Sequence, residues 1–148
     1  MQVKISTSND LQHRLENIKT LSQATVQVGL TEKADPFLKF ILRIQEHGSP
    51  INNIPPRKVI APALNQPETR KAMAQAMADA VQEAWDGKDP SLFLKKAGQT
   101  GADGIRAYID SHIPPPNSPA TVARKSFDLP LYDTGTLYRA FDYEVIWK

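Results

Sequence analysis

The side chains that could do chemistry are few and scattered. Three histidines, His13, His47 and His112, offer imidazole for proton transfer or metal binding. None has a second histidine at i+3 or i+4, and no HExxH occurs. His13 falls on the polar side of a helical pattern. His47 adjoins a helix stop, where a cationic ring serves the last carbonyls. His112 precedes a proline loop. No metal or cofactor is expected from them. No G-x-S-x-G, P-loop or G-x-G-x-x-G is present either. Gly98, Gly101 and Gly104 recur every third residue, but no strong strand precedes them. They read as a helix–helix contact or a kink rather than a phosphate cradle. Asp86 and Asp89 sit near helix ends, where carboxylates cap before they catalyse. With no acid–base pair, activated nucleophile or metal cluster to assemble, an enzyme is not expected.

Two basic pairs remain, Arg57-Lys58 and Arg124-Lys125, each following a proline cluster. Either could meet a phosphate backbone. Phosphate tracking usually needs a wider patch interleaved with aromatics. A solvated loop or a protein–protein ion pair is therefore the preferred reading. A small nucleic-acid-binding module using these four side chains is the alternative.

The elements that must position these groups fit one domain. The chain has 148 residues, 41% hydrophobic and 23% charged, which is the balance of a globular protein with a real core. A net charge of +2 is too small to indicate nucleic-acid binding by itself. Cysteine is absent, which excludes disulfides and thiolate metal sites. No run approaches the roughly 18 apolar residues of a membrane span. The opening MQVKISTSNDLQHR has no apolar core, so no signal peptide is expected.

Proline is the outlier, with 12 residues, and it is clustered. Pro50, Pro55, Pro56 and Pro62 form one group, and Pro114, Pro115, Pro116 and Pro119 another. Proline fixes φ and removes a donor, so these groups punctuate regular structure. Residues 2–6, 25–30 and 141–147 alternate as strands do. Helical spacing follows residue 10, with Leu11, Leu15 and Ile18 on one side. Asp35-Pro36 predicts a cap and first helical position, with Gly48 as the stop. After Gln66-Pro67, one stripe runs Ala72, Met73, Ala76, Met77, Ala80, Val81, Ala84 and Trp85. Its alanines leave room for close packing. Asp89-Pro90 starts another helix, which the three glycines are expected to interrupt. Residues 113–130 show little periodicity and read as a structureless loop or docking arm.

Taken in order, several motifs form a series. They are Val26-Gln27-Val28-Gly29, Glu46-His47-Gly48 and Ile54-Pro55-Pro56-Arg57, then Pro62-Ala63-Leu64 before the alanine-rich helix. Pro116-Asn117-Ser118-Pro119-Ala120-Thr121 with Arg124-Lys125 follows, and then Pro130-Leu131-Tyr132-Asp133-Thr134-Gly135-Thr136-Leu137. The series resembles the minor tail or tail-completion (neck) proteins of long-tailed bacteriophages and prophages, over nearly the whole chain. His47 directly before Gly48, and Lys58 after Arg57, stand where family members often carry aromatics. The resemblance implies an α+β fold, a small antiparallel sheet flanked by three or more helices. Its strands would lie near residues 2–6, 25–30, 57–60 and 141–147, with a proline-rich arm at 114–130. It also implies structural work in virion assembly, as a ring at the head–tail junction or tail end through which DNA passes. The implied partners are further copies of the chain and other connector or tail proteins. The implied location is the virion, after synthesis in the bacterial cytoplasm.

The motifs have a physical logic of their own. Asp133-Thr134-Gly135 is a turn signature that aims the chain into the last strand. Pro55 and its neighbours hold an extended segment rigid and present Arg57, which could pair with a neighbour's carboxylate. A closed ring of one chain needs two different patches per subunit. Residues 114–125 are the expected first patch, and residues 54–57 part of the second.

Overall fold

The computed structural model describes residues 7–148, and the expected strand at 2–6 lies outside them. Among the described residues seven α-helices and two strands follow one another in chain order. They are α1 (Thr7–Leu21), β1 (Ala24–Gly29), α2 (Pro36–His47), α3 (Ile60–Leu64), α4 (Pro67–Trp85), α5 (Ser91–Asp110), α6 (Pro119–Lys125), α7 (Thr136–Ala140) and β2 (Asp142–Trp147). The fold is α+β, a small antiparallel sheet flanked by helices.

β1 and β2 pair from Ala24↔Trp147 to Gly29↔Asp142. An isolated two-stranded ribbon is marginal in water, so it needs a helix to lie on. That helix is α5, which packs against both strands and against α4. The alanines of α4 do what their size suggests. Ala76, Ala80 and Ala84 are buried, while Met77, Val81 and Trp85 on the same expected stripe stay partly exposed.

α5 runs unbroken, contrary to the expected interruption at Gly98, Gly101 and Gly104. The reason is what lies against each glycine. A Cβ at Gly98 would overlap the Tyr143 ring of β2. One at Gly101 would stand 3.0 Å from a Val28 methyl of β1, and one at Gly104 would stand 2.5 Å from Cγ2 of Thr69 on α4. Each glycine costs the helix about 1 kcal/mol against alanine. Close approach of strands and α4 on these faces offsets that local cost.

Residues 57–60 are not a strand. Arg57 and Val59 are buried and Lys58 is exposed, so the alternation is that of a strand. Among the described residues the segment has no strand beside it, and it pairs instead with the end of α2 before turning into α3. The arm also differs from expectation, because α6 lies within it. Ser118 Oγ accepts from Thr121 N, and Pro119 occupies the first turn, as cap chemistry requires.

The main core gathers Leu42, Val59, Ile105, Ile109, Ile113 and Phe141. It ties α2, the segment before α3, α5 and the start of β2 together. Arg106 of α5 also donates to the Phe141 carbonyl. No helix among the described residues is long and apolar enough to cross a membrane.

Candidate functional site

The end of α2 sets the geometry. Gly48 has φ 73° and ψ 175°, a combination essentially confined to glycine. Its N–H donates to Ile44 O at 2.6 Å, closing the helix. The chain then makes a 3-10 turn over Pro50–Asn52, and Ser49 and Ile54 exchange backbone hydrogen bonds at 2.8 and 3.0 Å. It returns along α2, where Arg57 N donates to Gln45 O at 2.6 Å. The Glu46 carboxylate accepts from Val59 N at 2.9 Å and Ile60 N at 3.0 Å. Those are the first N–H groups of α3, where an anion satisfies orphan donors and meets the positive helix end.

This return stroke aims Arg57 at the arm. Its Nε donates to Pro115 O at 2.8 Å and its Nη2 to Pro116 O at 2.9 Å. Consecutive prolines have no N–H of their own, so their carbonyls need an outside donor. The guanidinium fork supplies it. Arg57 is only 7% exposed. Burial lowers its pKa, partly opposed by the Asp128 charge. Nε and Nη2 of Arg57, which the sequence offers to a neighbouring subunit's carboxylate, are engaged inside its own chain.

The second half of the arm is held in the same manner. Asp128 accepts from Asn117 N at 3.0 Å. Lys125 Nζ donates to Leu129 O at 2.8 Å and lies 4.9 Å from the centre of the Phe127 ring. Desolvation lowers the Lys125 pKa. Arg124 bonds Asp133 at 3.0 Å. Gly135, at φ 80°, caps α7, and Thr134 and Thr136 share a hydroxyl hydrogen bond at 2.8 Å. Tyr132 stands edge-on to Phe127 and to Tyr138, whose hydroxyl donates to Asp110 at 2.8 Å. That bond raises the Tyr138 pKa.

Between α2 and this assembly lies a cleft of about 610 Å³. Phe37, Leu38 and Ile41 of α2 form one wall, and Leu131, Tyr132 and Leu137 face them. Of the residues singled out by sequence, Pro55, Arg57, Arg124, Lys125, Asp133, Thr134 and Gly135 line it. Lys58, His47 and Gly48 do not. Lys58 is exposed on the outside of the extended segment. His47 Nδ1 lies 3.0 Å from Arg43 O at the end of α2, and its ring borders a shallower depression of about 340 Å³ beside β1. Gly48 is the hinge of the return stroke.

The two expected ring patches therefore form a single surface. Residues 54–57 and 114–125 pack on each other within one subunit, joined by the Arg57 fork. Residues sequence reasoning missed are Glu46 as the α3 cap, Asn117 and Asp128 as a link within the arm, and Phe37 at the mouth of the cleft. Glu46 was visible as an acidic residue in a motif, but its target lies 13 and 14 residues away. Among the described residues, no three His, Asp or Glu side chains converge into a metal-holding group. No family model matches this chain, and no curated protein or solved structure matches it.

Proposed function

We propose that this protein is a structural virion-assembly component, a ring-forming adaptor of the tail-completion or neck type in a long-tailed phage or prophage. One observation carries the reading. Three of the segments bearing the resemblance, residues 54–57, 116–125 and 130–137, come together around one cleft, where Arg57 bonds the Pro115 and Pro116 carbonyls and Arg124 bonds the Asp133 carboxylate. Such residues shape a surface rather than perform a reaction. Arg57 is nearly buried and Arg124 is paired with Asp133, so neither is free to track a phosphate backbone, which leaves the phosphate-contact alternative with less support.

A heterologous ring needs two different surfaces. Phe37 at the cleft, Phe40 on the same helix and Ile51 in the turn after it are 65%, 59% and 95% exposed. Leu15 of α1 and Val81 of α4 are about half exposed on separate elements. Large apolar side chains left in water on two faces fit a subunit that is completed by its neighbours.

The test is mass by sedimentation over a range of concentration and salt. A discrete multimer is expected, with Phe40→Glu and Leu15→Glu each shifting it to monomer. A monomer at every concentration, together with DNA binding that falls steeply with salt, would replace this reading by the phosphate-binding one.

A further inference from the structure

The cleft has a chemical bias that subunit assembly does not require. Apolar Phe37, Leu38, Ile41, Leu131 and Leu137 line it beside polar residues, and three of its lining side chains are donors without a carboxylate partner. Arg57 makes its hydrogen bonds through Nε and Nη2 to neutral carbonyls, and Nη1 has no partner among the described residues. It forms no ion pair within 4 Å among them, although it is nearly buried. Lys125 is held likewise by a carbonyl and an aromatic face, with no carboxylate on Nζ. Asn117 Nδ2 is buried with no acceptor among the described residues. The three side chains line one cleft. Buried cations and orphan amide donors are costly, and both are satisfied by an anionic oxygen. The nearby Asp128 carboxylate is tied to Asn117 N. Asp133 is tied to Arg124, and Asp35 caps α2 through Phe37 N.

We propose that the cleft between α2 and residues 114–137 binds a small organic carboxylate carried on an apolar body. The carboxylate lies at Arg57, Lys125 and Asn117, and the apolar body lies between Leu38, Ile41 and Leu131. A cavity of about 610 Å³ falls in the range of about 300–1,000 Å³ usual for such ligands. Two charge-assisted bonds with apolar contact explain why the site would favour an amphipathic anion over a bare one or a neutral oil. The inference is independent of ring formation.

The probe is octanoate, titrated into the full chain and followed by amide NMR shifts, with 1-octanol as the neutral match. Saturable octanoate shifts are expected at residues 37–41, 54–57, 117–125 and 131–137, with octanol at least tenfold weaker. Lys125→Gln should weaken octanoate about fivefold and leave octanol unchanged, and Lys125→Arg should restore it. Phe37→Glu keeps α2 folded, because an acidic residue suits a helix N-terminus. It should weaken octanoate by repulsion at the mouth. Equal affinity for octanol, shifts centred elsewhere, or no saturable shift would each overturn the proposal.

Discussion

The α4–α5 layer and the cleft region reach order by opposite means. Where α5 meets α4 and the sheet, side chains are small. α4 buries Ala76, Ala80 and Ala84, while on α5 Gly98 and Gly101 let the strands approach and Gly104 lets Thr69 of α4 approach. Around the cleft, backbone meets backbone at Gly48, between Ser49 and Ile54, and where Arg57 N bonds Gln45 O. Elsewhere charged side chains reach across and bond the carbonyls and N–H groups of segments with no regular pairing. Glu46 serves α3, Arg57 serves Pro115 and Pro116, and Lys125 serves Leu129. The first kind of order rests on many weak dispersion contacts and tolerates small shifts. The second rests on a few directional bonds and fixed dihedral angles, so single changes should matter more there.

The same substitution, glycine to alanine, sharpens that contrast. Its largest effect is expected at Gly48. An alanine there takes on a backbone conformation that costs non-glycine residues about 1–3 kcal/mol. Its Cβ would also stand 2.8 Å from Ile54 O and 2.9 Å from Pro56 N, and backbone atoms of a braced turn have little room to move. Overpacking adds about 1–3 kcal/mol. Gly48→Ala should therefore destabilise by about 3 kcal/mol or more. For a domain of this size that lowers Tm by roughly 6–12 °C, measurable by circular dichroism. A loss below about 1 kcal/mol would mean that the turn is softer than its bonds imply.

Next in size is Arg57→Met. Methionine keeps much of the aliphatic volume but removes both donors to the proline carbonyls. Leaving an acceptor unpaired costs about 1–3 kcal/mol where it is buried and less where water reaches it, as at half-buried Pro115 and exposed Pro116, and relief of a desolvated cation offsets part of it. A net loss of about 2 kcal/mol is expected. The local readout is sharper than the global one. Limited proteolysis should begin to cut within residues 111–127, with the α4–α5 layer still protected. Arg57→Lys should fall between the two, since one ammonium reaches both carbonyls less well than a fork does. Unchanged proteolysis in Arg57→Met would show that the arm is held by other contacts.

This contrast also explains what could be read from the sequence. Helices with their own punctuation were legible. Asp35-Pro36 and Gly48 bound α2, and Gln66-Pro67 starts α4 where the periodic stripe begins. The strand pair was legible from alternation at both ends of the chain. The run at 57–60 misled because alternation reports one buried side, not the partner on the other. Here the partner is Gln45 O and the Glu46 carboxylate, which no local pattern announces. The helix α6 was announced by Ser118-Pro119, the same kind of signal that located α2, but three preceding prolines masked it. The cleft was the least legible part. Its residues were picked out singly, yet their meeting depends on the return stroke after Gly48 and on the fork of Arg57.

The smallest effect is expected at Gly101, and it tests the other half of the contrast. A Cβ there would lie 3.0 and 3.1 Å from the two Val28 methyls and 3.3 Å from a Leu64 methyl. These are side-chain ends rather than backbone, and Val28 sits on a two-stranded ribbon that can move a few tenths of an ångström. Alanine also gains about 1 kcal/mol of helix propensity over glycine. The two terms nearly cancel, so Gly101→Ala should change stability by no more than about 1 kcal/mol in either direction. Urea unfolding would measure it through the midpoint at constant slope. A loss as large as that at Gly48 would show that the ribbon is pinned to α5 as rigidly as the turn is pinned to α2. The distinction between a layer that yields and a cleft that does not would then fail.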